Sequence, residues 1–288
     1  MFDGKKSARI PVLLATLLLA VAASAQNARP ADDGPPAGAT LVWSDEFNGP
    51  EASAPDSGKW TAIDDGSGFG NREAEYYTPR LANVHVSHGN LVITALREDV
   101  SGKDGRPHDF TSGRIESRGK FEVAYGRIEA RIKIPAGEGL WPAFWMLGGD
   151  FRAHGWPECG EIDIMENVGY EPDVVHGTLH GPGYSGMSPL GEAFRLKSPA
   201  KFADDFHVYA IEWEPGEIRF YVDHQLFETR RADALQAGQR WVFDHPFYIL
   251  LNLAVGGNWP GYPNHTTPFP AAMLVDYVRV YKLAPKSK

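Results

Sequence analysis

The 288-residue chain has a single cysteine, Cys159, so no intrachain disulfide can form. Core packing has to hold the fold together, with at most a metal ion to assist. Basic residues are scarce relative to acids: 28 Lys and Arg stand against 37 Asp and Glu, a formal charge of −9. Tight binding to phosphate backbones needs a cationic surface, so nucleic acid is not an expected partner. Long apolar runs are also lacking. The one that occurs, Ile10 to Ala22, has 13 residues, short of the roughly 20 a spanning helix needs. Lys5, Lys6 and Arg9 precede it and Ala23-Ser24-Ala25 follows, the layout of a cleavable export signal. Residues 1–25 are therefore expected to be a signal peptide. The protein is expected to be secreted, extracellular or periplasmic, a monomer, without stable membrane anchoring.

Helical periodicity is almost missing too; only Arg231–Gln239 has a short helical composition. Gly 31 and Pro 22 make up roughly 18% of the chain, against an average of about 12%, which implies many turns. Residues 26–40 are rich in Pro, Gly, Ala and Asp without periodicity and read as a flexible leader. From Leu41 to residue 283 strand signals dominate. In Arg127–Ile134 the residues Ile128, Ala130, Ile132 and Ile134 take one face, and Arg127, Glu129, Arg131 and Lys133 the other. That alternation is the pattern of a half-buried antiparallel strand. Similar runs are Leu91–Ala95, Val208–Trp213, Ile218–Asp223, Tyr248–Leu253 and Met273–Tyr281. Pro215-Gly216 lies at hairpin distance between two of them, and Asp223-His224-Gln225 opens another turn. The expected fold is all-β: one sandwich of two antiparallel sheets.

One segment carries chemistry. In Glu161-Ile-Asp-Ile-Met-Glu166, Glu161 and Asp163 share a face while Ile162 and Ile164 point the other way. Glu166 has the wrong parity for a regular strand. A one-residue bulge near Met165 would return it to the side of its partners. Three carboxylates on one strand repel one another and gain nothing for sheet formation; a solvated acidic face is the plain alternative, and the aromatic residues immediately upstream weigh against it. Retaining glycoside hydrolysis needs two carboxyl groups roughly 5–5.5 Å apart, one nucleophile and one acid/base. An intervening acid hydrogen-bonds the nucleophile and helps keep the acid/base protonated.

This motif resembles that of glycoside hydrolase family 16, E-[hydrophobic]-D-[hydrophobic]-[hydrophobic]-E, in its bulged form. The resemblance is to the bacterial endo-β-1,3-glucanase, or laminarinase, branch. It runs through Leu41–Asn48, Gly70–Thr78, Thr111–Ile115, Trp141–Leu147, Gly177–Pro182, Leu251–Pro260 and Val275–Tyr281. It implies a β-jelly roll with an open concave cleft, with Glu161 as nucleophile, Asp163 as electrostatic helper and Glu166 as acid/base. Asn71 and Arg114 match positions that hydrogen-bond sugar hydroxyls. The family also carries a convex calcium site in many members, which implies Glu46 and Asp276 as ligands of a structural Ca²⁺.

The residues themselves add to this. Trp141 and Trp145 share a strand face and read as a sugar-stacking floor in preference to plain core, and Trp259 in Gly-Gly-Asn-Trp-Pro-Gly reads as a cleft wall. His176 and His180, on a strand, sit about 13 Å apart and cannot share zinc. His180 reads as a cleft residue near Glu166, His176 as structural. Cys159 reads as a packed thiol. Asp276 lies on the apolar parity of Leu274, Val278 and Val280, where an unpaired carboxylate is costly; calcium or a salt bridge would resolve the cost. The sequence thus points to a retaining endo-β-1,3-glucanase. Mixed-linkage glucan, agarose or carrageenan as substrate, transglycosylation, and a β-glucan-binding module without catalysis stay open, the last disfavoured because all three acids are present.

Overall fold

The computed structural model describes residues 34 and 37–284. The expected export signal, most of the expected leader and residues 285–288 lie outside the described residues. In chain order the strands are β1 Thr40–Asp45, β2 Thr61–Ala62, β3 Glu75–Tyr77, β4 Val84–Ser87, β5 Asn90–Ser101 and β6 Pro107–Ser112. Next come β7 Arg114–Glu116, β8 Glu122–Val123, β9 Gly126–Lys133, β10 Leu140–Gly148, β11 Glu161–Glu166 and β12 Val174–His180. The last six are β13 Leu190–Arg195, β14 His207–Glu214, β15 Glu217–Val222, β16 Gln225–Arg231, β17 Phe247–Val255 and β18 Ala271–Lys282.

They form two sheets. The first runs β16-β15-β14-β9-β18-β5-β6-β3, with β1 on β18 and β4 on β5. The second runs β13-β12-β11-β10-β17-β7-β2, with β8 on β17. Pairing is antiparallel except between β3 and β6. Ile128, Ile132, Val275 and Val278 from the first sheet meet Phe144, Ile162, Ile249 and Leu251 from the second in one buried core. Such side chains each stabilise by about 1.5–3 kcal/mol on burial. Truncating Ile162 to Ala would therefore cost about 2–5 kcal/mol. Asp223 and His224 both take positive φ between β15 and β16, the two-residue turn that matches the twist of a hairpin. The helical expectation for 231–239 fails: β16 runs through Arg231, and a single 3₁₀ turn, Ala232–Ala234, follows.

The outer face of the first sheet is charged yet covered. Arg127 is 3% and Glu129 2% exposed, so β9 is more than half-buried. It lies between β14 and β18, whose long side chains lie over it. Arg127 pairs with Glu129 at 2.7 Å, and Arg219 gathers Glu212, Glu214 and Glu217 at 2.9, 2.9 and 2.5 Å. Asp276 belongs to this layer. A bulge between Val275 and Tyr277 breaks the strand's period, so Met273, Val275, Val278 and Val280 face the core. Asp276, 5% exposed, instead meets Arg131 at 2.9 Å. Glu46 is held by Arg279, whose Nε and Nη2 donate to its two oxygens at 2.9 Å each. Each supposed calcium ligand is thus neutralised by a guanidinium, and the pair does not fit a cation as it stands. The salt bridge resolves the cost that suggested one.

At one side the sheets are tied together. β13 and β16 are the end strands of their sheets, and Glu192 donates its backbone N–H to Glu228 Oε2 at 3.2 Å. Arg230 spans the same joint, 2.5 Å from Glu228 and 3.4 Å from Glu192.

Candidate active site

β11 lies between β10 and β12 in the second sheet, with Ile162, Ile164 and Met165 in the core. Trp145 pairs with Asp163 and Phe144 with Met165, so Ile164 is the extra residue of a bulge. The bulge near Met165 is present, and it puts Glu166 on the side of Glu161 and Asp163. Gly160, at φ +73°, turns the chain into the strand; a Cβ there would lie 2.9 Å from Phe247.

On this outer face Asp163 is 3% and Glu166 8% exposed, covered by the side chains around them. Burial, reinforced by the charge of Asp163, lifts Glu161 to about 8. Burial lifts Asp163 also, while a hydrogen bond shared with Glu161 opposes the rise. Glu166 is raised well above the usual carboxylate range by burial, then by Asp163 and Glu161, with His180 and the Trp141 hydrogen bond acting the other way. Three carboxyl groups in a dry space cannot all ionise, so protons stay among them near neutrality.

His180 pairs with Glu161 across the strands, its Nε2 3.2 Å from Asp163 and 3.9 Å from Glu161. It therefore serves the Glu161 end, not the neighbourhood of Glu166 expected from sequence. His176 takes that place: it pairs with Glu166, and its ring packs 5.0 Å from Trp259. One ligand atom each from Glu161, Asp163 and His180 lie within 4.8 Å of one another, which a cation could bridge. Among the described residues no acceptor meets the buried His180 Nδ1, the partner that metal-bound imidazoles use, so the set is better suited to holding protons.

Trp141 and Trp145 share the site face. Trp141 donates to Glu166 Oε1 at 3.0 Å and meets Trp259 edge-on at 5.6 Å. Trp145 donates to Asn252 Oδ1 at 2.7 Å, and Arg114 lies over its ring at 4.9 Å and over Phe69 at 4.3 Å. Arg114 Nε is buried with no hydrogen-bond partner among the described residues. Asn71 is half-buried, its Nδ2 donating to Glu73 at 3.1 Å and its carbonyl accepting from Asn258 at 2.8 Å. The structure thus gathers the three acids, Trp141, Trp145, Trp259, Arg114, Asn71 and His180 on one face. Asp276 belongs to the other sheet, and Glu46 directly follows β1 of that sheet.

Sequence reasoning missed Trp156, Asn252, Glu73 and Glu75. Trp156 packs 5.8 Å from His180 and is 43% exposed at the Glu161 end. Asn252 was visible as a polar residue inside an apolar strand. Cys159 is buried beside Leu147, Tyr248 and Leu250, below Trp145; burial lifts its thiol to about 12. It is a packing residue.

Arrays of this kind have relatives. The chain is 44% identical over 251 residues to the beta-glucanase of Rhodothermus marinus, covering 84% of this chain and 85% of that protein. It is 40% identical over 245 residues to a keratan-sulfate endo-1,4-beta-galactosidase of Sphingobacterium multivorum, covering 84% of this chain and 55% of that one. The solved endo-beta-1,3-glucanase of Pyrococcus furiosus superposes with a TM-score of 0.81 at 48% identity, covering 85% of this chain and 95% of that structure. The sequence profile of Glycosyl hydrolases family 16 matches residues 73–279, and with identities at this level over most of its length the chain belongs to that family.

Proposed function

We propose that the protein is a retaining endo-β-1,3-glucanase, exported from the cell, that cleaves laminarin-type glucans internally. The observation that carries this is the acid trio beside the Trp141–Trp145 floor. The similarity to the Pyrococcus furiosus endo-beta-1,3-glucanase, which spans nearly all of that structure, supports the linkage. In the first step Glu161 Oε attacks the anomeric carbon, the glycosidic C–O bond breaks, and Glu166 gives its proton to the leaving oxygen. Glu161 and Asp163 share one proton; in the reactive form it sits on Asp163, which donates it in a hydrogen bond to the attacking Glu161 carboxylate. In the second step Glu166, now anionic, takes a proton from water as that water attacks the same carbon. The Glu161–sugar bond breaks and the configuration is retained. No cofactor enters this chemistry. Trp141, Trp145 and Trp259 stack sugar rings, while Asn71, Arg114 and His180 address hydroxyls.

The test is turnover and product sizing on laminarin, barley glucan, cellulose, agarose, carrageenan and keratan sulfate. Laminarin should be cut fastest, to mixed oligosaccharides, with barley glucan next and anionic galactans poor because the chain itself is acidic. Glu161→Gln and Glu166→Gln should each lower turnover on laminarin by about a thousandfold or more, about 4 kcal/mol of barrier. Azide should restore Glu161→Gly with inverted product. Faster cleavage of a galactan, near-normal turnover by either Gln variant, or glucose as the sole early product overturns the assignment.

A further inference from the structure

Beneath the Trp141–Trp259 end of the site lie two acids that double displacement does not use. Glu75, in β3, is 1% exposed. Its Oε2 accepts the backbone N–H of Val255 at 2.7 Å, whereas its buried Oε1 has no donor among the described residues. Glu73 stands within side-chain hydrogen-bonding reach of it. Glu73 itself accepts from Asn71 Nδ2 at 3.1 Å on one oxygen and from Tyr77 Oη at 3.0 Å on the other. A buried carboxylate oxygen with no donor, next to a second carboxylate, is costly. The cost disappears when that oxygen carries a proton and becomes the donor itself.

What this pair holds is the floor and wall of the site. Ala74 N–H donates to Val255 and Asn258 N–H to Asn71, both at 2.8 Å, fastening segment 71–75 to the loop that bears Trp259. Tyr77 Oη accepts from Asn252 Nδ2 at 3.2 Å, and Asn252 accepts from the indole of Trp145 at 2.7 Å. We infer that Glu75 is a neutral carboxylic acid whose proton, donated to Glu73, positions Asn71, Trp145 and Trp259 for the sugar chain. Glu75 is a positioning residue, since it reaches substrate only through those side chains. The inference rests on the reading of this face as the glucan site.

The groups facing the pair decide what happens when the proton leaves. Glu75 faces Glu73; Tyr77 faces both acids, and Arg114 of β7 faces Tyr77. Two anions then share a buried space with one nearby cation, Glu73 turns from Asn71, and the Val255 anchor loosens. Substrate binding weakens at alkaline pH and is read as a rise in KM, whereas proton loss from the β11 acids in the same range is read in kcat.

The experiment compares the full chain with Glu75→Gln and Glu75→Leu by Michaelis kinetics on laminarin over about pH 6–9, with infrared spectra at neutral pH. A Gln amide donates to Glu73 and accepts from Val255, so Glu75→Gln should keep KM within about twofold and lose its alkaline rise. Glu75→Leu should raise KM about fivefold or more with kcat nearly unchanged, the effect of one lost hydrogen bond. The wild-type spectrum should contain a carboxylic-acid carbonyl band that Glu75→Gln lacks. That band is read without substrate, so it stands or falls separately from glucanase activity. A Gln variant as impaired as Leu, an alkaline KM rise that survives in Gln, or no band difference overturns the inference.

Discussion

The indole N–H of Trp141 donates to Glu166 Oε1 over 3.0 Å, so a floor residue also grips the acid proposed to protonate the leaving group. A donor to a carboxyl oxygen favours its anion, opposing the burial that raises Glu166. Stacking and proton affinity are therefore coupled in one side chain.

Trp141→Phe separates them. The ring stays and the donor goes, so Glu166 rises further. The alkaline limb of kcat/KM, where the general acid loses its proton, should move to higher pH, and the acid limb should stay. The rate at the optimum should fall about tenfold, in line with about 1.5 kcal/mol for a charge-assisted hydrogen bond. An unmoved alkaline limb in a pH–rate profile would remove Glu166 from the acid role.

The cleft acids make stability fall as pH rises. Burial raises Glu161 to about 8 in the fold from its ordinary 4.5. The folded state therefore binds its proton more tightly than the unfolded chain does. The stability this gives is complete below about pH 4.5 and lost as pH climbs through about 8. Glu161→Gln removes the liability and should raise Tm at about pH 9 while changing it little near pH 5. Calorimetric scans at the two values measure this; an equal shift at both would refute it.

Chelation should leave Tm and moderate-temperature turnover unchanged, because Glu46 and Asp276 are already paired with Arg279 and Arg131. Asp276→Asn should destabilise by about 3 kcal/mol with or without chelator, since it leaves a covered guanidinium without its counter-ion. A melting drop on adding EDTA would mean that Glu46 leaves Arg279 for a cation.

Cys159 should resist thiol reagents. With the thiol lifted to about 12 by burial, it carries almost no thiolate at about pH 8. Reaction with a chromogenic disulfide should appear only with denaturant, at a rate that follows unfolding; rapid labelling of native protein would contradict the packing.

The sandwich and the acid trio were legible because they rest on local period. Ile162 and Ile164 announce a strand, and the misplaced Glu166 announces its bulge. A second bulge went unseen at Asp276, since the apolar residues on both sides of it hid the break, and a charged-layer residue was read as facing the core. The two histidines exchanged roles for another reason. Which of them meets Glu166 depends on the register between β11 and β12, and that register contains the bulge. Glu75 was beyond reach: its anchor, Val255, is 180 residues away.

The joint between β13 and β16 bears on how the protein behaves in crowded solution. A terminal strand offers unpaired N–H and C=O groups on which another chain can grow a ladder. Here side chains link the two terminal strands, and Glu228 takes the Glu192 N–H. Arg230 adds charge to the same rim, which disfavours a neutral, sticky partner. This flank is a poorer template for fibril-like growth, a protection achieved without a disulfide.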